Sequence, residues 1–302
     1  MITIKAPASS ANLGPGFDTL GLSLGIFNIL EADKSNESRL VIEGEGSDYL
    51  SSGHENLVLR SVAIFYKEIL NSPPPKLDIK MVNNIPVSRG MGSSAATIVS
   101  GIALANEISE RGLTRDELFV LASKIEGHPD NVAASIYGGM TIAYSDVFGN
   151  HPKASSFLPQ EELRILLLIP GAGLSTLEAR GTLPEKIGYR DATFNLSRVA
   201  LLIKTFLSGD LNLLGPALED KLHQPYRMKL MPDLEKTIEI CDKAGAYGAA
   251  LSGAGPTIIA FTSLSQREAV MASIKEGLKN SDLEFTVIPY DIDKDGVKVE
   301  KK

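Results

Sequence analysis

The stretch Pro86-Val87-Ser88-Arg89-Gly90-Met91-Gly92-Ser93-Ser94-Ala95-Ala96 has the composition of an anion-binding helix start. Ile85 and Pro86 close an apolar stretch, and Gly90 and Gly92 let the backbone turn close to a ligand with no Cβ in the way. Ser93 and Ser94 then open a helical pattern in which Ala95, Ile98, Val99, Ile102 and Ala105 recur at helical spacing. The unpaired N–H groups of such a start, with the positive end of the dipole, point at whatever sits in the loop, and phosphate is the natural guest. No Gly-Lys-Ser/Thr ends the run, so it is not a Walker A loop, and the third glycine of a dinucleotide or protein-kinase loop is missing. Read from physics alone, a Gly/Ser-rich turn capping an ordinary helix accounts for the same residues equally well.

Other stretches carry residue types suited to chemistry. Lys5-Ala6-Pro7-Ala8-Ser9-Ser10-Ala11-Asn12-Leu13-Gly14-Pro15-Gly16-Phe17-Asp18 reads as a strand and a Gly/Pro turn, which explains the glycines but is indifferent to Asn12 and Asp18. Glu126-Gly127-His128-Pro129-Asp130-Asn131-Val132-Ala133 packs more polar groups before an apolar segment than a helix end and a turn require. Leu251-Ser252-Gly253-Ala254-Gly255-Pro256-Thr257 reads by itself as a glycine turn entering a buried strand. Asp291-Ile292-Asp293-Lys294-Asp295-Gly296 imitates the start of a calcium loop, but Lys302 stands where the bidentate Glu belongs. Asp295-Gly296 is better read as a hairpin turn. Cys241, on an expected helix, reads as a small buried side chain.

The elements that must position these residues alternate irregularly, which points to an α+β fold. Strands are expected over 2–6, 23–32, 40–43 and 77–82, the last feeding the glycine loop. Helices are expected over 56–70, 93–111 and 114–125, with Thr114 and Glu117 as a capping box for the last. Turn-forming residues concentrate between Gly149 and Glu162, the expected domain boundary. Beyond it come a strand over 163–169, helices over 192–207 and 233–244, and a strand–helix–strand over 257–261, 266–278 and 285–289.

The 302 residues suffice for two domains, and 43% hydrophobic with 22% charged residues describes a globular chain. A net charge of -7 and the lack of Lys/Arg runs argue against nucleic-acid binding. A single cysteine rules out an internal disulfide and fits a reducing, cytoplasmic setting. The apolar runs are too short to span a membrane.

The run from Pro86 to Ala96 resembles the second motif of the GHMP kinases, Pro-x-x-x-Gly-Leu-Gly-Ser-Ser-Ala-Ala, with Met91 in place of the leucine. The stretch from Ala11 to Asp18 resembles the first motif in the form found in homoserine kinases, and Leu251–Thr257 resembles the third. Glu126–Ala133, Ser175-Thr176-Leu177-Glu178-Ala179-Arg180 and Gln224-Pro225-Tyr226-Arg227 extend the likeness over nearly the whole chain. The resemblance implies two α+β domains. Residues 1–155 would form a nucleotide-binding domain like domain 2 of ribosomal protein S5, with a left-handed crossover, and 156–302 a ferredoxin-like domain.

The same resemblance implies a reaction and a site. ATP would phosphorylate the hydroxyl of L-homoserine with Mg²⁺ present. The nucleotide would lie on Pro86, Val87, Ser88, Arg89, Gly90, Met91, Gly92, Ser93, Ser94, Ala95 and Ala96, with Asn56 near the adenine. Ser94 and Glu126 would hold the metal. Asn12, Asp18, His128, Asn131, Thr176, Arg180, Arg227 and Gly253 would face the amino acid, with Glu126, Asn131 and Arg180 as the catalytic set. Arg180 and Arg227 suit a carboxylate, since guanidinium offers fixed paired donors, and Asp18 suits the ammonium or the hydroxyl. A cytoplasmic homodimer without nucleic-acid or membrane partners is implied as well. The competing readings are another small-molecule kinase of the family, for mevalonate, shikimate or an isoprenoid precursor, and a binding protein that has lost catalysis.

Overall fold

The computed structural model describes every residue except Ser51, Ser52, His54, Asp282 and Lys302, so the twelfth position of the calcium-loop imitation lies outside the described residues. The first part of the chain runs β1 (Ile2–Ala11), β2 (Leu20–Lys34), β3 (Arg39–Gly44), α1 (Leu57–Phe65, continued by a π-helical turn over Tyr66–Leu70), β4 (Leu77–Asn83), α2 (Ser93–Ser109), α3 (Arg115–Glu126), α4 (Asp130–Tyr137), β5 (Met140–Tyr144) and β6 (Lys153–Phe157). The second runs β7 (Leu163–Pro170), α5 (Thr176–Gly181), α6 (Tyr189–Ser208), α7 (Leu214–Ala217), α8 (Gln224–Arg227), α9 (Asp233–Lys243), β8 (Gly248–Leu251), β9 (Ile258–Ser263), α10 (Arg267–Gly277), β10 (Phe285–Tyr290) and β11 (Lys298–Lys301).

The first sheet is ordered β11-β1-β2-β4-β3, with β5 and then β6 attached to β2. β2 is long enough to pair with β1 along one edge while β4 and β5 share the other. β3 and β4 are parallel neighbours joined through α1. The second sheet is fully antiparallel in the order β10-β7-β9-β8. With α9 before β8 and α10 after β9, it has the βαββαβ ferredoxin-like arrangement. β7 is apolar on both faces. Ile165 and Leu167 enter the main core, whereas Leu166 and Leu168 pack with Leu234, Cys241 and Ile274 on the α9–α10 side.

Several sequence expectations shift. The boundary at 155/156 falls inside β6, which pairs with β5 in the first sheet. β11 pairs with β1, so the chain after β10 leaves the second sheet and ends on the first. Asp295-Gly296 is therefore not a hairpin turn but part of that return. Asp293 fixes it by accepting from the Ser23 hydroxyl at 2.9 Å and the Gly296 N–H at 2.8 Å. The polar stretch after His128 opens a helix, α4, and β6 and β8 are strands that the pattern did not announce. The Thr114–Glu117 capping box is present, and Cys241 is fully buried. Among the described residues no helix is long and apolar enough to cross a membrane.

α2 is buried nearly all round, packed by α1, α3, α4 and β1. Small residues allow that. A Cβ on Gly101 would lie 2.8 Å from both Ser61 Cβ and the Val58 carbonyl oxygen of α1. Two effects then compete in Gly101→Ala. Helix propensity favours alanine by about 1 kcal/mol, while forcing the helices apart costs about 1–3 kcal/mol. We expect overpacking to win, lowering the urea midpoint at constant m-value; a raised midpoint would contradict this packing.

Candidate active site

The loop between β4 and α2 is held by all its neighbours. Gly92 takes the N-cap position of α2 with φ 67°, where a Cβ would meet Ser9 Oγ at 2.1 Å and Asn131 Oδ1 at 2.9 Å. The first helical bond runs from Ala96 N–H to Gly92 O at 2.9 Å. The N–H groups of Ser93, Ser94 and Ala95 have no acceptor among the described residues, which makes them the orphan donors of a seventeen-residue helix. Ala96 corrects its assignment: its N–H is already bonded, and the methyls of Ala95 and Ala96 are fully buried in the core. Ala95 has only its N–H to offer.

Two further side chains of the loop region hold backbone rather than ligand. Arg89 donates to the carbonyls of Pro170 (2.9 Å), Val87 (3.2 Å) and Gly171, strapping the loop to the end of β7. Ser252 is fully buried and donates to Gly90 O at 2.6 Å, so it anchors the loop instead of an anion.

The loop forms one wall of a cavity of about 270 Å³ to which both parts of the chain contribute. All the site residues expected from the sequence line it except Ala95 and Ala96. Leu50, Leu57 and Met81 add apolar wall. Asn56 caps α1 by accepting from Val58 N–H at 2.9 Å while also facing the cavity. Thr176 begins α5 at the rim.

The acidic wall comes from the α3–α4 junction. Glu126 ends α3, accepts from Ser94 Oγ at 2.7 Å, and lies 3.7 Å from His128 Nε2. Burial raises its pKa above the usual carboxylate value, against the Ser94 hydrogen bond and the His128 charge. Asp130 is buried and accepts from His128 Nδ1 and from Asn131 N–H, each at 2.8 Å. Burial disfavours the His128 imidazolium, but the Asp130 hydrogen bond and the carboxylates of Asp130, Glu126 and Asp18 outweigh it and raise its pKa. Asn131 Oδ1 accepts from Ser9 Oγ at 2.9 Å.

The opposite wall carries the arginines. Arg180 forms a two-pronged ion pair with Asp18 at 2.8 and 2.9 Å, which raises its pKa. Asn12 is a tie more than a ligand: its oxygen accepts from Asp18 N–H at 3.0 Å and its nitrogen donates to Gly253 O at 2.8 Å. Arg227 is fully buried, donates to Gly253 O at 3.0 Å, and has its pKa lowered by burial and by Arg180. The Phe17 ring lies 5.2 Å from the Arg227 guanidinium and 5.5 Å from that of Arg180. Phe17, Asp220 and His223 were not singled out from sequence. His223 was within reach as a residue one helical turn before Arg227.

This arrangement offers oxyanion donors on one side, two carboxylates and an imidazole in the middle, and two guanidinium groups opposite. It suits phosphoryl transfer to a small charged acceptor. Comparison with known proteins agrees. Residues 56–139 match the GHMP kinases N terminal domain, and residues 202–280 match the GHMP kinases C terminal domain. A homoserine kinase of Moorella thermoacetica is 43% identical over 262 residues, covering 86% of this chain and 87% of its own. One from Desulfitobacterium hafniense is 36% identical over 99% of this chain and 100% of its own. The crystal structure of homoserine kinase from Cytophaga hutchinsonii superimposes with a TM-score of 0.88 at 26% identity, covering 99% of this chain and 97% of that one. The chain therefore belongs to the homoserine kinases of the GHMP kinase family.

Proposed function

We propose that this protein transfers the γ-phosphoryl group of ATP to the side-chain hydroxyl of L-homoserine, giving ADP and O-phospho-L-homoserine for threonine biosynthesis. The observation that carries the reading is one cavity holding both the open N-terminus of α2 and a set of opposite charges, Asp18 with Arg180 and Arg227. Such a set matches a zwitterionic amino acid. Mevalonate and shikimate carry a carboxylate but no cation for Asp18. On this reading the substrate exchanges an internal ion pair for two external ones: its carboxylate goes to the guanidinium groups and its ammonium to Asp18.

The triphosphate lies along Pro86–Ser94, with the free N–H groups of Ser93, Ser94 and Ala95 toward its oxygens. His128 and Asn131 orient the hydroxyl in line with the γ-phosphate, and Arg180 stabilises charge on the transferred group. Glu126 and Ser94 form an oxygen-only donor pair with no Lys or Arg among the described residues ion-paired to the carboxylate, which fits a hard cation. They would hold Mg²⁺, which when bound neutralises charge on the phosphates. Asp130 already serves His128 and the first turn of α4, so the hydroxyl proton passes to an oxygen of the transferred phosphoryl group, and from there to solvent, without an essential side-chain base. A homodimer acting in the cytoplasm completes the proposal, and sedimentation of the purified chain checks its oligomeric state.

The decisive assay is ADP release with Mg-ATP and a panel of L-homoserine, L-threonine, mevalonate and shikimate. We expect homoserine to dominate and Arg180→Ala to lose about 10–150-fold in kcat/KM, the worth of a charged hydrogen-bond pair. A preference for mevalonate or shikimate would move the chain to another branch of the family. Failure to bind Mg-ATP would favour the non-catalytic reading.

Glu126→Gln should separate stability from activity. The folded-state pKa of Glu126 is raised, so its ionised form burdens the fold, and the associated stability is lost as pH rises through that pKa. In EDTA at pH 8 the Gln variant should therefore melt higher than the parent. Its kcat should fall by about 10²–10³. A variant that melts lower and stays active would refute both roles. Asp130→Asn should keep measurable turnover; complete loss with both substrates still bound and the fold intact would establish a base.

A further inference from the structure

His223 is fully buried beside the acceptor wall, and the homoserine reading gives it no task. Its ring makes four defined contacts, the longest polar one being Nε2 to Asp220 Oδ2 at 3.6 Å. Nε2 lies 2.7 Å from Gly14 O, Nδ1 lies 3.2 Å from Arg227 Nη1, and the ring face stacks on Phe17 with centroids 5.5 Å apart. A carbonyl only accepts and a guanidinium only donates, so the tautomer is determined. Nε2 carries the proton, Nδ1 presents a lone pair, and the ring is neutral.

The surroundings enforce this state. Burial drives the ring toward its neutral form; the Asp220 carboxylate pulls the other way, and the Arg227 charge adds to burial. The Gly14 hydrogen bond and the Asp18 carboxylate oppose burial more weakly. Asp220 holds the backbone beneath the ring, accepting from the N–H groups of Leu222, His223 and Gln224 and from the Asn195 amide at 2.7–2.9 Å.

The consequence falls on Arg227. Its Nη1 is held between two acceptors, His223 Nδ1 and Gly253 O. Its Nε is buried without a partner, and its Nη2 makes no hydrogen bond among the described residues. Anchoring Nη1 therefore fixes the plane of the guanidinium and leaves Nη2 unbonded among the described residues, while Nε is closed off behind it. We propose that His223 is a positioning residue for the substrate carboxylate, acting through Arg227 by presenting an unprotonated Nδ1 to its guanidinium. This rests on the homoserine reading above.

The test compares two acceptors in the ADP-release assay: L-homoserine, and 2-amino-1,4-butanediol, in which a CH₂OH replaces the carboxylate. His223→Gln keeps an N–H toward Gly14 and removes the acceptor beside Arg227. Its KM for homoserine should rise at least about 10-fold, with kcat, the KM for Mg-ATP and turnover of the diol all within about twofold. His223→Asn returns an oxygen near the Nδ1 position and should recover most of the homoserine KM. Equal losses on both acceptors, a loss in kcat alone, or no loss overturns the proposal. A wild-type chain that turns over ATP but not homoserine removes the functional reading, and this inference with it. Should neither variant fold, ¹⁵N resonances of the four histidines in the unmodified protein decide. A proton on His223 Nδ1 overturns the proposal, and a bare Nδ1 that shifts on adding homoserine supports it.

Discussion

The encasement of α2 is the constraint on which the remaining structure depends. A helix packed by α1, α3, α4 and β1 has little freedom to translate or rotate, so its first turn is fixed in space. Small side chains are the condition for this. Three donors without acceptors would be unfavourable in a closed interior. Here they open on a cavity, and the loop before them is tied through Ser252, Arg89 and Ser9. The cavity thus receives the unsatisfied first turn of an otherwise well-packed helix.

The same economy governs the charges. Asp18 is paired with Arg180, and Asp130 holds His128 through a 2.8 Å hydrogen bond. Such pairing keeps partly buried ions from the full penalty of desolvation.

Local signals made part of this legible. The glycine loop, the start of α2 and the Thr114 cap announce themselves within a few residues, because each depends on backbone hydrogen bonds that neighbouring side chains complete. β8 does not, since Gly248-Ala249-Ala250-Leu251 becomes a strand only by pairing with β9. β6 is a polar, largely exposed edge strand and gives no apolar alternation. Asp295-Gly296 turns the chain in the same way whichever sheet the next strand joins. The chemistry divides likewise. Types and motifs named residues that line the cavity, but Asp18 and Arg180 lie 162 positions apart, and no local pattern says that they meet. The contacts of Asn12, Ser252 and His223 are likewise set by the tertiary arrangement.

The return of β11 to the first sheet changes how the two sheets are connected. The chain crosses between them twice, once after β6 and once after β10. The two crossings run side by side: Leu158–Arg164 and Asp291, Ile292 and Lys294 line one shared depression, and Arg164 Nε lies 3.6 Å from Asp291. Two adjacent crossings resist twist better than a single linker would, and the main core, which takes Ile165 and Leu167 of β7 together with Ile4 of β1 and Leu104 of α2, spans both sheets and fixes the cleft between its walls.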